Sequence, residues 1–401
     1  MIERLYEQHL VRLLELFPAV AVIGPRQVGK STLVQRPGVG RNRTYVTLDD
    51  ITARSLAEKD PVAVVDTASP LTIDEAQLVP DLLREIKLRI DRERMPGRYL
   101  ITGSSDLNYM ADLSRVLAGR VGILRLPPIT YFELNKRSTE PAWVSVLRGD
   151  NPGADSAEYP SFDWKHLSRG GFPLSVTARD HASRSLWFDA FRSTYLERDL
   201  RMISDIAHLA EFSRVMELSA GRTAQILNQA SIARDAGLSP VTTGRYLSIL
   251  EASLLIRRIE PWYENIGKRL VKSPKLVWND CGLAAHLLRI LPEQFPAHPL
   301  TGRLFETAVI NEITALLPIY FPSDRAYFLR SHEGMEIDLL IQHGEHLVPL
   351  EIKSSRTVTA ADAESIEKWI SLSGREENGM VIYAGTSVRR VSRHVVAVPL
   401  A

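Results

Sequence analysis

The first third of the chain alternates short apolar runs with amphipathic stretches. AVAVIG (19–24), TYVTLDD (44–50), LTIDEA (71–76), RYLITGSS (98–105) and GILRLPP (122–128) each read as a strand, with helices such as Asp81–Arg92 between them. Strands and helices alternating at this spacing predict a parallel sheet covered on both faces. Before the first strand, Leu5, Leu10, Leu14 and Leu16 predict an amphipathic helix packed on that sheet. Residues 136–165 are rich in Pro, Gly, Asp and Ser and read as a loop or linker. Residues 180–220 look helical, with apolar residues at three- and four-residue steps in SLWFDAFRSTYLERDLRMI (185–203).

Residues 224–262 predict helix, turn, helix and strand. Ile232, Ala233 and Ala236 form one stripe, Gly237 ends the first helix and Ser239 caps the second, which Leu247, Ile249 and Leu250 pack down. LLIRRIEPW then supplies a wing strand. From about residue 300 the helix GRLFETAVINEITALL precedes MEIDLLIQHGEHLVPLEIKSS (335–355), read as two strands around a turn at His343–Gly344. That register pairs Gln342 with Glu345 and Asp338 with Pro349, and Glu351 and Lys353 follow at steps of two. Asp338, Glu351 and Lys353 therefore share one face. No internal repeat is visible. The expected architecture is α/β: a parallel sheet (1–135), a linker and helical lid (136–205), a helix-turn-helix with wing (206–263) and a small α/β domain (264–401).

A length of 401 residues suffices for several cores. Lys plus Arg number 49 against 48 for Asp plus Glu, so any nucleic-acid-binding surface has to be local. Cys281 is the single cysteine, which rules out an internal disulfide, and it is expected as a buried small residue. MIERLYEQHLVRLLELFPAV is broken by charges every few residues, so neither a signal peptide nor a membrane span is expected, and a cytoplasmic location is.

The densest chemistry follows the first strand. GPRQVGKST, comprising Gly24, Pro25, Arg26, Gln27, Val28, Gly29, Lys30, Ser31 and Thr32, fits G-x-x-x-x-G-K-[ST] in a strand-loop-helix setting. The glycines let backbone bend around phosphate, N–H groups from Gln27 to Ser31 point at it, Lys30 bridges the β- and γ-phosphates and the Ser31 hydroxyl ligates Mg²⁺. Asp74 and Glu75 end an apolar strand, where ligands of parallel sheets bind. Asp74 is expected to hold Mg²⁺ through water, and Glu75 to orient or deprotonate the attacking water. ATP or ADP with Mg²⁺ is the expected cofactor set.

These motifs together, with LAGRVGILRLPPITYFEL (117–134), resemble the AAA-type P-loop ATPase domain of a large bacterial and archaeal family. In that family the domain is joined to a C-terminal domain of unknown function. The resemblance implies that TGSS (Thr102–Ser105) is the sensor-1 strand end, with Ser104 the residue chosen. It also implies that Arg120, or secondarily Arg115, faces a neighbouring subunit's nucleotide as a trans-acting arginine finger; the alternative for Arg120 is a helix C-cap. The middle segment resembles a winged helix, whose expected exposed face, Thr242, Thr243 and Arg245 with Arg257 and Arg258 in the wing, serves either DNA contact or protein packing. Glu306, Asp338, Glu351 and Lys353 look like the core of a PD-D/E-x-K nuclease, in which the acids bind Mg²⁺ and the lysine positions water. The other reading is an edge hairpin with surface charges.

The expected function is therefore Mg-dependent ATP hydrolysis that couples nucleotide state to a C-terminal region engaging DNA or a protein. An ATP-dependent DNA nuclease and a slow nucleotide-gated switch are the alternatives. A homo-oligomer sharing Arg120 is an expected assembly, and no membrane partner is expected.

Overall fold

A computed structural model describes residues 2–104, 113, 115–135, 140–149, 159–194, 208–263, 273–331, 335–374 and 377–400. The chain forms two compact units, one built on residues 1–128 with 249–255, the other on most of the remainder.

In the first unit β1 (Ala19–Gly24), β2 (Thr44–Thr47), β3 (Leu71–Asp74), β4 (Tyr99–Ser104) and β5 (Val121–Arg125) form a five-stranded sheet in the order β2-β3-β4-β1-β5. Every pairing is parallel. All six residues of β1 are buried, which is why its sequence is apolar without alternation. The helix Asp81–Arg92 buries Leu82, Leu83, Ile86 and Ile90, joining a core that includes Ile73, Tyr99 and Ile101. The N-terminal helix Tyr6–Leu16 forms as expected, yet it buries Tyr6 and Leu10, while Leu16 is 71% exposed. Parallel strands bring the carboxyl ends of β1, β3 and β4 to one edge of the sheet. The expected strand 44–50 is shorter than its apolar run. Asp50 leaves the ladder to accept the Ala53 N–H at 2.8 Å and starts the helix Ile51–Lys59.

The second unit holds a three-stranded sheet, β6 (Gln225–Ile226), β7 (Ile256–Ile259) and β8 (Lys275–Trp278), in the order β6-β8-β7. Helices Gln229–Ala236 and Pro240–Ala252 lie between β6 and β7 in sequence. Gly237 adopts φ +69° to end the first, and the Ser239 hydroxyl accepts the Thr242 N–H at 3.0 Å, as expected. Strand β8 completes this sheet by pairing with β7, so the expected boundary at 263/264 cuts it. Thr243, expected on the exposed face, is fully buried. Within the segment read as linker, the helix Ala142–Leu147 buries Trp143, Val144 and Leu147. The Pro and Gly content marked its flanks and masked this apolar turn. Part of the helical stretch read at 185–203 lies outside the described residues.

A six-stranded mixed sheet closes the chain: β9 (Arg325–Arg330), β10 (Glu336–His343), β11 (His346–Lys353), β12 (Gly379–Tyr383), β13 (Arg389–Arg390) and β14 (Val395–Pro399). The crossover helix Glu364–Ser373 buries Ile366, Trp369 and Ile370 and joins the parallel pair β11 and β12. The hairpin turn is Gly344–Glu345, one residue later than expected, because Gly344 takes the left-handed φ (+60°) at the first loop position. The observed pairs His343↔His346 and Leu339↔Leu350 shift the register by two residues, which preserves parity. One step further, Asp338 lies opposite Glu351 and not Pro349, and the same-face reading survives.

Glu312, from the long helix Thr301–Tyr320, is 3% exposed. Its carboxylate accepts the Tyr131 and Phe132 N–H groups at 2.6 and 3.0 Å, at the start of the short helix Tyr131–Leu134. Burial pushes its pKa up to about 8 despite those bonds. The folded state therefore binds a proton that the unfolded chain, with its ordinary glutamate, has already released. Stability is full below the unfolded value and falls as pH rises towards about 8. Urea unfolding between pH 5 and 8 should show this loss, with a share for Glu312 of up to about 1.4 kcal/mol per pH unit. Glu312→Gln should remove that share of the slope.

Candidate functional site

Gly24 ends β1 where a side chain has no room: an added Cβ would lie 2.6 Å from the Leu126 carbonyl oxygen. The loop then turns through left-handed backbone at Gln27 (φ 59°) and Gly29 (φ 99°), with Val28 and Pro25 buried beneath it. Arg26 is half-buried, and Gln27 and Thr32 are exposed. Lys30, only 5% exposed, donates from Nζ to the carbonyls of Gly24 and Pro25, both at 3.1 Å, so its charge sits over the loop. The helix that follows is short, Lys30–Val34, because Arg36 is extended (ψ 147°), as the residue before Pro37 prefers.

At the same edge Asp74 ends β3 and is 3% exposed. Three hydroxyls donate to its carboxylate: Ser31 Oγ at 2.9 Å to Oδ2 and 3.1 Å to Oδ1, Tyr45 Oη at 2.7 Å to Oδ2, and Thr102 Oγ1 at 2.5 Å to Oδ1. Burial and then the Asp74 hydrogen bond push the Tyr45 phenol well above its ordinary pKa. Glu75 takes a left-handed backbone (φ 58°, ψ 42°), which costs a non-glycine residue roughly 1–3 kcal/mol. Its N–H donates to Thr102 Oγ1 at 3.0 Å, and its carboxylate accepts from Gln77 Nε2. The Lys30 ammonium and Ser31 hydroxyl thus follow the end of β1, Asp74 ends β3 in contact with Ser31, and Glu75 is the next residue.

Tyr45, Thr102 and Gln77 were not among the expected residues. Thr102 lies inside TGSS, where Ser104 is the residue expected; Ser104 sits level with Gly24 at the end of β4, and its side chain is outside the described residues. Position 104 lies two residues further along β4, and the hydroxyl that meets Asp74 is that of Thr102. Arg120 precedes β5, whose Val121 pairs with Ala19 at the start of β1. It therefore lies at the opposite edge from its own phosphate loop. Its Nε donates to Asp91 at 2.5 Å and its Nη1 to the Ala118 carbonyl, in the turn before β5, at 2.9 Å.

A second charged cluster lies in the other unit. Lys353 Nζ donates to Glu351 at 2.9 Å, and Asp338 Oδ2 accepts the Ile352 N–H at 2.9 Å. Lys275 on β8, unforeseen in the sequence, stands among the acids with a side chain 1% exposed. Its Nζ is 2.7 Å from Glu306, 3.6 Å from Glu336 and 3.7 Å from Asp338 carboxylate oxygens, and 3.2 Å from the Asp338 carbonyl. The available signal was a lysine opening the buried run KLVW. Burial lowers its pKa, but Glu306 and Asp338 more than reverse this. Burial and the neighbouring Asp338 push Glu306 and Glu351 up to about 7 against their lysines. Among the described residues no group of three or more His, Cys, Asp or Glu is placed to hold a metal ion. Cys281 is buried, as expected. No helix among the described residues is long and apolar enough to cross a membrane.

The parallel sheet and its loop define a P-loop ATPase of AAA type, and residues 16–135 match the family described as AAA domain. Residues 164–294 and 301–401 match two domains of unknown function, DUF8612 and DUF4143. The chain belongs to the same family as "Uncharacterized protein Rv2008c" of Mycobacterium tuberculosis and "Uncharacterized protein Mb2031c" of Mycobacterium bovis. It is 31% identical to each over 395 residues, covering 97% of this chain and 82% of theirs. Among solved structures, the Walker-type ATPase PABY2304 of Pyrococcus abyssi is 13% identical with a TM-score of 0.44, covering 72% of this chain and 96% of that one.

Removing the ammonium while leaving the acids should be costly. Lys275→Met is expected to destabilise the folded protein by about 3–5 kcal/mol in urea unfolding, because it leaves uncompensated buried charge. Adding Glu306→Gln to that variant should recover part of the loss.

Proposed function

We propose that this chain is a Mg²⁺-dependent ATPase whose nucleotide state controls how its C-terminal half engages a partner, DNA or protein. The observation that carries the proposal is the meeting of the loop serine with the strand-end acid, Ser31 Oγ to Asp74 at 2.9 Å, beside a buried Lys30. A hydroxyl and a carboxylate in contact suit a magnesium ion, and Ser31 and Asp74 are the residues that would hold it. When bound, that ion offsets phosphate charge. Lys30 meets the β/γ-phosphate oxygens and stabilises charge as water bonds to the γ-phosphorus and the bond to the bridging oxygen breaks. Glu75 orients that water and takes its proton; its left-handed backbone turns it away from the line of β3. ATP is the substrate and ADP with phosphate the products.

Arg120 enters this reading only in trans, since β1 separates it by roughly 17–20 Å of strand from its own loop. Its pair with Asp91 would have to open on assembly. At the C-terminal carboxylates, we read Glu306, Asp338, Glu351 and Lys353 as a charge-neutralised joint in preference to a nuclease centre. Lys275 already supplies the cation that the acids require. Steady-state ATP hydrolysis with and without DNA separates an ATPase from a slow switch, and plasmid cleavage in Mg²⁺ or Mn²⁺ would revive the nuclease alternative.

Glu75→Gln should retain ATP binding and lose turnover by about 10²-fold or more, as expected for a general base. Lys30→Ala should weaken binding and abolish hydrolysis. Wild-type turnover by Glu75→Gln would remove that residue from its role.

For assembly, turnover should rise with protein concentration, and Arg120→Ala should lose hydrolysis while remaining folded. Mixing Arg120→Ala with Lys30→Ala should restore part of the activity, because each retains one half of a shared site. A monomer by light scattering that hydrolyses ATP at the full rate would exclude the arrangement.

A further inference from the structure

Asp74 is tied from two neighbouring strands as well as from the phosphate loop. A carboxylate offers about four lone-pair directions. Thr102 on β4 holds Oδ1, Tyr45 on β2 holds Oδ2, and Ser31 bridges both. These partners are not equivalent. Ser31 has lone pairs to give a cation while its O–H still donates to Asp74. Thr102 is committed twice, donating to Asp74 and accepting the Glu75 N–H. Tyr45 lies on the sheet's edge strand at a half-buried position, two residues before Thr47, the register partner of Asp74. With a phenol on one oxygen and a threonine on the other, the carboxylate cannot rotate about Cβ–Cγ without breaking a bond.

We propose that Tyr45 is a positioning residue for the metal-binding acid: its hydroxyl fixes the plane of the Asp74 carboxylate so that the acid and Ser31 present a preformed half-site to magnesium. This rests on the ATPase reading above. Residues that hold a metal ligand in place without touching the metal typically change metal affinity or activity 10–100-fold when removed. Tyr45→Phe deletes one oxygen and keeps the ring, so the consequence is confined to the orientation of Asp74.

The test measures binding of a fluorescent ADP analogue to the full chain, first in EDTA and then across a Mg²⁺ titration, with ATP hydrolysis followed in parallel. Tyr45→Phe should bind the metal-free analogue as the wild type does. It should need about 10-fold more Mg²⁺ for the half-maximal metal-dependent change, and recover its rate at saturating Mg²⁺. An unchanged Mg²⁺ requirement in Tyr45→Phe overturns the proposal. Equal loss of nucleotide affinity with and without metal also overturns it, because that result assigns Tyr45 to packing the loop. A wild-type protein whose nucleotide binding ignores Mg²⁺ would instead remove the ATPase reading itself.

Discussion

The carboxylate of Asp74 has to be buried at the end of β3, and most of the first unit's site follows from meeting that requirement. An ionised acid taken out of water costs several kcal/mol unless donors replace the solvent. Here the donors are hydroxyls from the phosphate loop, β2 and β4. Each donor comes from a different strand-loop segment, so the acid is fully satisfied only when β1 to β4 are in place. Thr102 extends the same network to the Glu75 backbone, which fixes the neighbouring carboxylate in its left-handed turn. Binding chemistry and sheet order are therefore one constraint seen from two sides.

The second unit treats buried charge differently. Glu312 is held by backbone N–H groups, and Asp280 likewise accepts the Gly171 and Leu283 N–H groups, both at 2.7 Å. Burial still pushes Asp280 up to about 6. Lys275 is held by carboxylates instead, and it belongs to the small sheet while Glu306 and Asp338 belong to the long helix and β10. Ion pairs this deep add little net stability, since desolvation consumes the attraction, yet breaking one is costly. Here they link β8 to the long helix and to β10. Apart from residues 249–255, the region read as two domains falls within one compact unit, and β8 is shared between the small sheet and the acid face.

The phosphate loop was legible because its chemistry is local: nine consecutive residues after one apolar strand supply the backbone bend, the ammonium and the hydroxyl. The helix Asp81–Arg92 and the hairpin's face were legible because periods of 3.6 and 2 survive in any tertiary context. Even the misplaced turn left Asp338, Glu351 and Lys353 on one side, since a two-residue slip preserves parity. Boundaries were less legible. The helix around Trp143 was hidden by flanking Pro and Gly, and the burial of Thr243 depends on what packs against the helix Pro240–Ala252.

By itself, then, the sequence determined the class of the first domain, the order of its loop chemistry and the identity of the paired acids Asp74 and Glu75. Tertiary structure alone decided which hydroxyls reach Asp74, that Thr102 is the polar β4 residue bonded to both acids, and that a lysine from β8 enters the C-terminal acid cluster. The reason is separation along the chain. Ser31, Tyr45 and Thr102 lie 43, 29 and 28 residues from Asp74, and Lys275 lies 63 from Asp338. Periodicity reports which face a residue takes within its own element, but only the pairing of strands decides which other element that face meets.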